Sequence, residues 1–147
     1  MNRAELQQLA DDRLRDAEVL LAAGRWSAAY YLAGYAIECG LKACVLAHLE
    51  KSSRIFEDKK EMTDILNNYF THDIDKLVKL AELESARGKD IATNPDLSKN
   101  WSIVKDWNET SRYRQISAVD MDTNARTFFD AIAANPNGVM LWIKAHW

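Results

Sequence analysis

Three short constellations in this chain carry side chains that could do chemistry. Glu38 and Lys42 stand four residues apart in an otherwise apolar stretch, Glu first, the orientation that suits an intrahelical ion pair. Their apolar neighbours strip both charges of water, so each must be paired or hydrogen-bonded. Tyr30, Tyr31 and Tyr35 lie on the same stretch, the last two within about two helical turns of Glu38. The group reads either as a polar pair that fixes packing or as a strip, with Tyr35, Glu38 and Lys42, lining a cleft or a dimer seam. Arg112-Tyr113-Arg114 places two guanidiniums around an aromatic ring. That offers phosphate forks and a stacking surface for single-stranded RNA or a nucleotide, or else a solvated loop with structural salt bridges. His72-Asp73 reads as an oriented acid-base pair or as the cap of a helix. His48 and His146 each stand alone and read as structural.

Some chemistries lack their residues. No Glu-x-x-His occurs, so the ligand set of a di-metal bundle is missing. There is no phosphate-binding P-loop and no GxGxxG. Cys39 and Cys44, five apart in one apolar run, suit neither a disulfide framework nor a zinc site and read as reduced core thiols. No cofactor or metal is expected.

The elements that must hold these residues are helices. Asn2, with Glu5 three residues on, has capping-box spacing, and Leu6, Leu9, Ala10, Leu14, Ala17 and Leu21 recur at steps of three and four. Gly24 is a natural stop. Residues 26 to 49 are apolar nearly all round, long enough to suggest a membrane span. Glu38 and Lys42 near the middle favour instead the central helix of a bundle, covered by its neighbours or by a second subunit. Residues 50 to 60 read as a charged loop. Met62, Ile65, Leu66, Tyr69 and Phe70 mark a short amphipathic helix, with Asp58 and Glu61 at its start, that Thr71-His72-Asp73 breaks. Ile74, Leu77, Val78 and Ala81 carry the helical period to about Ala86, and Arg87-Gly88-Lys89 reads as a loop. Asn94-Pro95 caps and opens the next helix, through Leu97, Trp101 and Val104. Residues 108 to 119 form a polar linker. A last long helix is expected from about Asp122, then a turn at Asn135-Pro136-Asn137-Gly138 and an apolar tail from Val139 to Trp147.

Composition agrees with an all-α protein. The chain has 147 residues, 48% hydrophobic and 28% charged, with only 5 Gly and 2 Pro, too few turn formers for an all-β domain. That is one domain, residues 1–147. With 19 basic against 22 acidic residues, the net charge of -3 excludes a nucleic-acid clamp that acts through bulk charge. The start, Met1-Asn2-Arg3-Ala4-Glu5, is polar, so no signal peptide is expected and the cytoplasm is the expected compartment.

Five stretches carry a family resemblance. Residues 13 to 21 (Arg-Leu-Arg-Asp-Ala-Glu-Val-Leu-Leu), 24 to 31 (Gly-Arg-Trp-Ser-Ala-Ala-Tyr-Tyr) and 36 to 43 (Ala-Ile-Glu-Cys-Gly-Leu-Lys-Ala) resemble the first two helices of a HEPN domain. Thr71-His72-Asp73-Ile74-Asp75-Lys76-Leu77 resembles the His-Asp-Leu segment that usually follows, and Trp107 to Tyr113 the late Arg-Tyr region. The similarity covers about residues 10 to 115. It implies a bundle of four to five helices with short extra ones, usually dimeric. Many such domains are ribonucleases of toxin–antitoxin and phage-defence systems. Others are non-catalytic partners of minimal nucleotidyltransferases or bind nucleotides. The ribonuclease subset carries an Arg followed, after four to six residues, by a His. Here Arg112 and Arg114 have no such His, and Arg126 is followed by Thr-Phe-Phe-Asp-Ala-Ile-Ala. The expectation is therefore a non-catalytic or degenerate homodimeric binding module, with a nucleotidyltransferase-type partner or bound nucleotide or RNA. Glu38, Lys42, Tyr35, Arg112, Tyr113 and Arg114 would line its functional face. The alternatives are a metal-independent ribonuclease with a rearranged site, using Arg112 and Arg114 for phosphate and His72 as acid-base group, and a structural adaptor without a ligand.

Overall fold

A computed structural model describes residues 1–52, 59–110 and 118–147. These residues are all-helical, with eight helices in chain order: α1 (Arg3–Ala22), α2 (Trp26–Lys51), α3 (Lys59–Tyr69), α4 (Ile74–Leu80), α5 (Glu84–Thr93), α6 (Pro95–Val104), α7 (Ala118–Ala133) and α8 (Val139–Lys144). The long elements are α1, α2 and α7, and the rest are short. The expected four or five main helices thus become three long ones with five short ones packed around them.

Local chemistry sets most boundaries. Asn2 accepts from the Glu5 amide and Glu5 accepts from the Asn2 amide, so the capping box forms. At the other end Gly24 adopts φ +72, and Arg25 N–H→Leu20 O (2.8 Å) with Gly24 N–H→Leu21 O (3.1 Å) closes α1 in a Schellman motif. Asn94 caps α6 through the Leu97 amide, with Pro95 in the first turn.

The hub is α2. Its faces pack against α1, α4, α7 and α8, and Ala33, Ala36, Ile37, Leu41, Ala43 and Val45 are fully buried. It is long and apolar enough to cross a membrane, yet 67% of its most apolar stretch is buried inside the bundle. One chain therefore covers the helix, and its all-round apolarity needs no second subunit. Trp107 lies flat on it at Gly34, where a Cβ would stand 2.1 Å from the indole ring.

The structure differs from the periodicity in three places. The helix expected over residues 74 to 86 ends at Leu80, because Glu82 takes φ +54 and Leu83 N–H→Val78 O (3.0 Å) closes a second Schellman motif. Without a glycine there, the stop leaves no mark in the sequence. Arg87-Gly88-Lys89 is not a loop but the middle of α5. Arg87 reaches Asp75 of α4 at 2.7 Å and lies 5.0 Å from the ring centre of Trp101 on α6, contacts that outweigh the poor helix propensity of Gly88. Helix α7 begins at Ala118, one turn before Asp122. The apolar tail is helix α8, and Val139, Met140, Trp142 and Ile143 bury against their own bundle.

Two glycines should respond oppositely to alanine. Gly88 is exposed, with open space where a Cβ would stand, so Gly88→Ala should raise unfolding free energy by about 0.5–1 kcal/mol in urea titration. Gly34→Ala must displace Trp107 and should cost about 1–3 kcal/mol or more.

Candidate functional site

Glu38 sits midway along α2 with 1% of its surface exposed, the one buried charged residue among those described. A bare carboxylate there would be strongly unfavourable, so both of its oxygens are engaged. Lys42, one turn along, donates its Nζ to Oε1 at 2.7 Å. The Nδ1 of His72 lies 2.9 Å from Oε2. The far ring nitrogen of His72, Nε2, is 2.7 Å from Oε2 of Glu109. Lys42, Glu38, His72 and Glu109 therefore form one continuous polar chain that runs from the core to the surface.

Each member is held by a different element. His72 belongs to the four-residue connection between α3 and α4. There Thr71 Oγ1 accepts from the Asp73 amide (3.2 Å) and Asp73 caps α4 through the Lys76 amide (3.0 Å). Glu109 lies on the 3₁₀ turn after Trp107, the residue seated on Gly34. The Lys42 ammonium is 5.6 Å from the centre of the Tyr69 ring at the end of α3. Tyr35 and Tyr31 stack on α2 with centroids 6.3 Å apart, and Tyr31 meets Trp107 at 6.1 Å.

An open depression of about 620 Å³ lies beside the outer end of this chain, lined by residues 71–75 and 105–110. Asp73, Asp75, Asp106 and Glu109 line it, against Lys105 and His72. Among the described residues its lining is acidic, and against these side chains phosphate would meet more repulsion than attraction.

The thiols next to the cluster are inert. Burial, then the Glu38 charge, pushes Cys39 up to about 11, and burial pushes Cys44 up to about 12. Burial also raises Tyr35, with the nearby Cys39 and Glu38 adding to it. Among the described residues no cluster of His, Cys, Asp or Glu is placed to hold a metal ion.

Of the residues singled out from sequence, Glu38, Lys42, Tyr35 and His72 come together. Arg112, Tyr113 and Arg114 lie outside the described residues. The His72-Asp73 couple does not act as a pair. The Asp73 carboxylate is spent on capping α4, and the carboxylates facing the imidazole are Glu38, 34 residues upstream, and Glu109. His48 and His146 make local contacts, with Glu82 at 3.8 Å and with the Trp142 carbonyl at 2.7 Å. Sequence reasoning missed Glu109 and Trp107. No spacing rule links them to Glu38 or His72; only the resemblance over residues 107 to 113 pointed to that stretch. Comparison with family models, with curated proteins and with solved structures returns no match.

Two measurements test this electrostatic picture. Lys42→Met strips a buried carboxylate of one partner and should cost about 3 kcal/mol in denaturant unfolding. Combined with Glu38→Gln, the two losses should fall short of additive by about 1 kcal/mol or more. The thiols give a pH dependence of known sign. The folded state keeps Cys39 and Cys44 protonated up to about 11 and 12, whereas exposed thiols ionise near 9.0. Stability should therefore fall as pH rises from 9.0 toward 11, and Cys39→Ser/Cys44→Ser should reduce that slope.

Proposed function

We propose that this chain is a HEPN-like helical module that works by binding rather than by catalysis, as a homodimer in the cytoplasm. One observation carries the reading. The segments that resemble the family lie far apart in sequence, yet their polar residues meet: Glu38 and Lys42 from the second helix, His72 from the His-Asp segment and Glu109 from the late region. Both ring nitrogens of His72 face carboxylates, Glu38 at 2.9 Å and Glu109 at 2.7 Å.

The acidity of the depression points the same way. It suits a basic protein surface better than RNA or a nucleotide, so the ligand of the module is a partner protein, with the nucleotidyltransferase class implied by the resemblance as the first candidate. Such a pairing would place the module in a toxin–antitoxin or defence setting. The homodimer would use a different face. Leu66 and Phe70, four residues apart on one side of α3 and its end, stand 54% and 75% exposed, and a second copy would cover them.

Purified protein with metal chelated should leave RNA uncut, and Arg112→Ala and His72→Ala should match it. Cleavage by the parent chain that both variants lose would replace the binding module with a ribonuclease. Light scattering should give a dimer that Phe70→Glu converts to monomer; a monomeric parent chain would remove the dimer from the proposal.

A further inference from the structure

The polar chain ends in an arrangement that depends on a proton. An ionised carboxylate only accepts hydrogen bonds, and a neutral imidazole donates from one nitrogen only. His72 faces carboxylate oxygens with both nitrogens, Glu38 at 2.9 Å and Glu109 at 2.7 Å. The two contacts can both be hydrogen bonds to ionised carboxylates only while the ring carries both protons. When the ring loses one, a lone pair must face a carboxylate oxygen, and one contact has to open.

The surroundings decide which. The Glu38 side chain is 2% exposed, so its oxygens have no water to turn to, and the Nδ1–H is the donor that the core requires. The Glu109 side chain is 40% exposed and sits on a surface turn. It can exchange the imidazole for water at little cost. The contact with Glu109 is therefore the one that opens. Glu109 is bound to the segment that begins at Lys105, lines the acidic depression and seats Trp107 on α2.

The other charged and titratable groups nearby complete the setting. On α2, Lys42 already holds the second oxygen of Glu38, and Tyr35 and Cys39 stay protonated through the neutral range. On α3, Tyr69 lies under Lys42 with its hydroxyl raised by burial. At the start of α4, Asp73 is engaged by the Lys76 amide and Asp75 by Arg87 of α5. On the segment itself, Asp106 and Glu109 are the acids and Lys105 the base.

We propose that His72 is a proton-operated clasp that ties the 105–110 segment to the bundle when charged and releases it when neutral. The device is independent of whether the module binds a protein, and it sets the shape of the depression by pH. Loss of the second ring proton opens the clasp, so it is closed while both nitrogens carry protons and open once one is lost.

Backbone hydrogen exchange tests this, resolved to residues 106–110 and corrected for the intrinsic pH dependence of exchange. Protection of these amides, relative to those of α6, should fall roughly fivefold as pH is raised until the His72 ring loses its second proton. Imidazole proton shifts of His72, followed by NMR over the same range, should move in step with that fall. In Glu109→Gln and in His72→Gln the relative protection should be flat with pH. Protection in the parent chain that stays constant while the His72 ring titrates would overturn the clasp, and so would a fall that persists in both variants. Should His72→Gln fail to fold, Glu109→Gln, a substitution at a half-exposed turn, decides alone.

Discussion

A carboxylate buried in the middle of the central helix governs how this molecule is put together. Glu38 has almost no contact with water, and removing an ionised group from solvent is so unfavourable that the surrounding chain must bring donors to it. One donor is local, since Lys42 lies a turn away on the same helix. The other comes from the connection between α3 and α4, which places His72 against the carboxylate and thereby positions the start of α4 on α2. The far side of that ring then meets Glu109 of a third segment. One buried charge thus sets the positions of two surface connections whose own apolar content is small.

That geometry rests on a helix with little bulk. Around the hub, α2 presents Ala29, Ala33, Gly34, Ala36, Gly40, Ala43 and Ala47 to its neighbours, and small residues let helices and rings come close. Trp107 uses this most directly, with its indole on the bare backbone of Gly34. Close packing on all sides explains why the segment reads like a membrane span by composition while being the core of a bundle. It also shifts the basis for a second subunit away from α2. The large apolar side chains left exposed among the described residues are elsewhere: Met1, Val19 on α1, Leu66 on α3, Phe70 just after it and Leu141 on α8.

Where an element is defined by local chemistry, the sequence is a sufficient guide. The Asn2–Glu5 box, the stop at Gly24, the Asn94-Pro95 start and the stripe of α1 all depend on residues within a few positions of one another. Glu82 and Gly88 are the instructive failures. A left-handed helix stop built on glutamate has no composition signal, and a glycine inside α5 looks like a break until Arg87 is seen bound to Asp75 and Trp101. The site divides in the same manner. The Glu38–Lys42 pair is four residues apart and legible, and the need for a further partner follows from its apolar surroundings. That the partner is His72, and that Glu109 backs it, depends on chain separations of 34 and 37 residues that no periodicity encodes.

The contacts that satisfy Glu38 also fit the proposed binding role better than phosphate chemistry. A general base needs a nitrogen that faces the reacting proton, and a phosphate-cleaving site needs cations where charge develops. Both ring nitrogens of His72 face carboxylates, and among the described residues that line the depression Asp73, Asp75, Asp106 and Glu109 outnumber Lys105 and His72. Arranging the site for phosphate chemistry would mean turning Glu109 away and bringing positive charge in its place. A surface that recognises a basic partner needs no such rearrangement, since Asp73, Asp75, Asp106 and Glu109 already line the depression. The proposed binding role would leave Glu38 satisfied throughout, since it asks neither Lys42 nor His72 to turn away from the carboxylate.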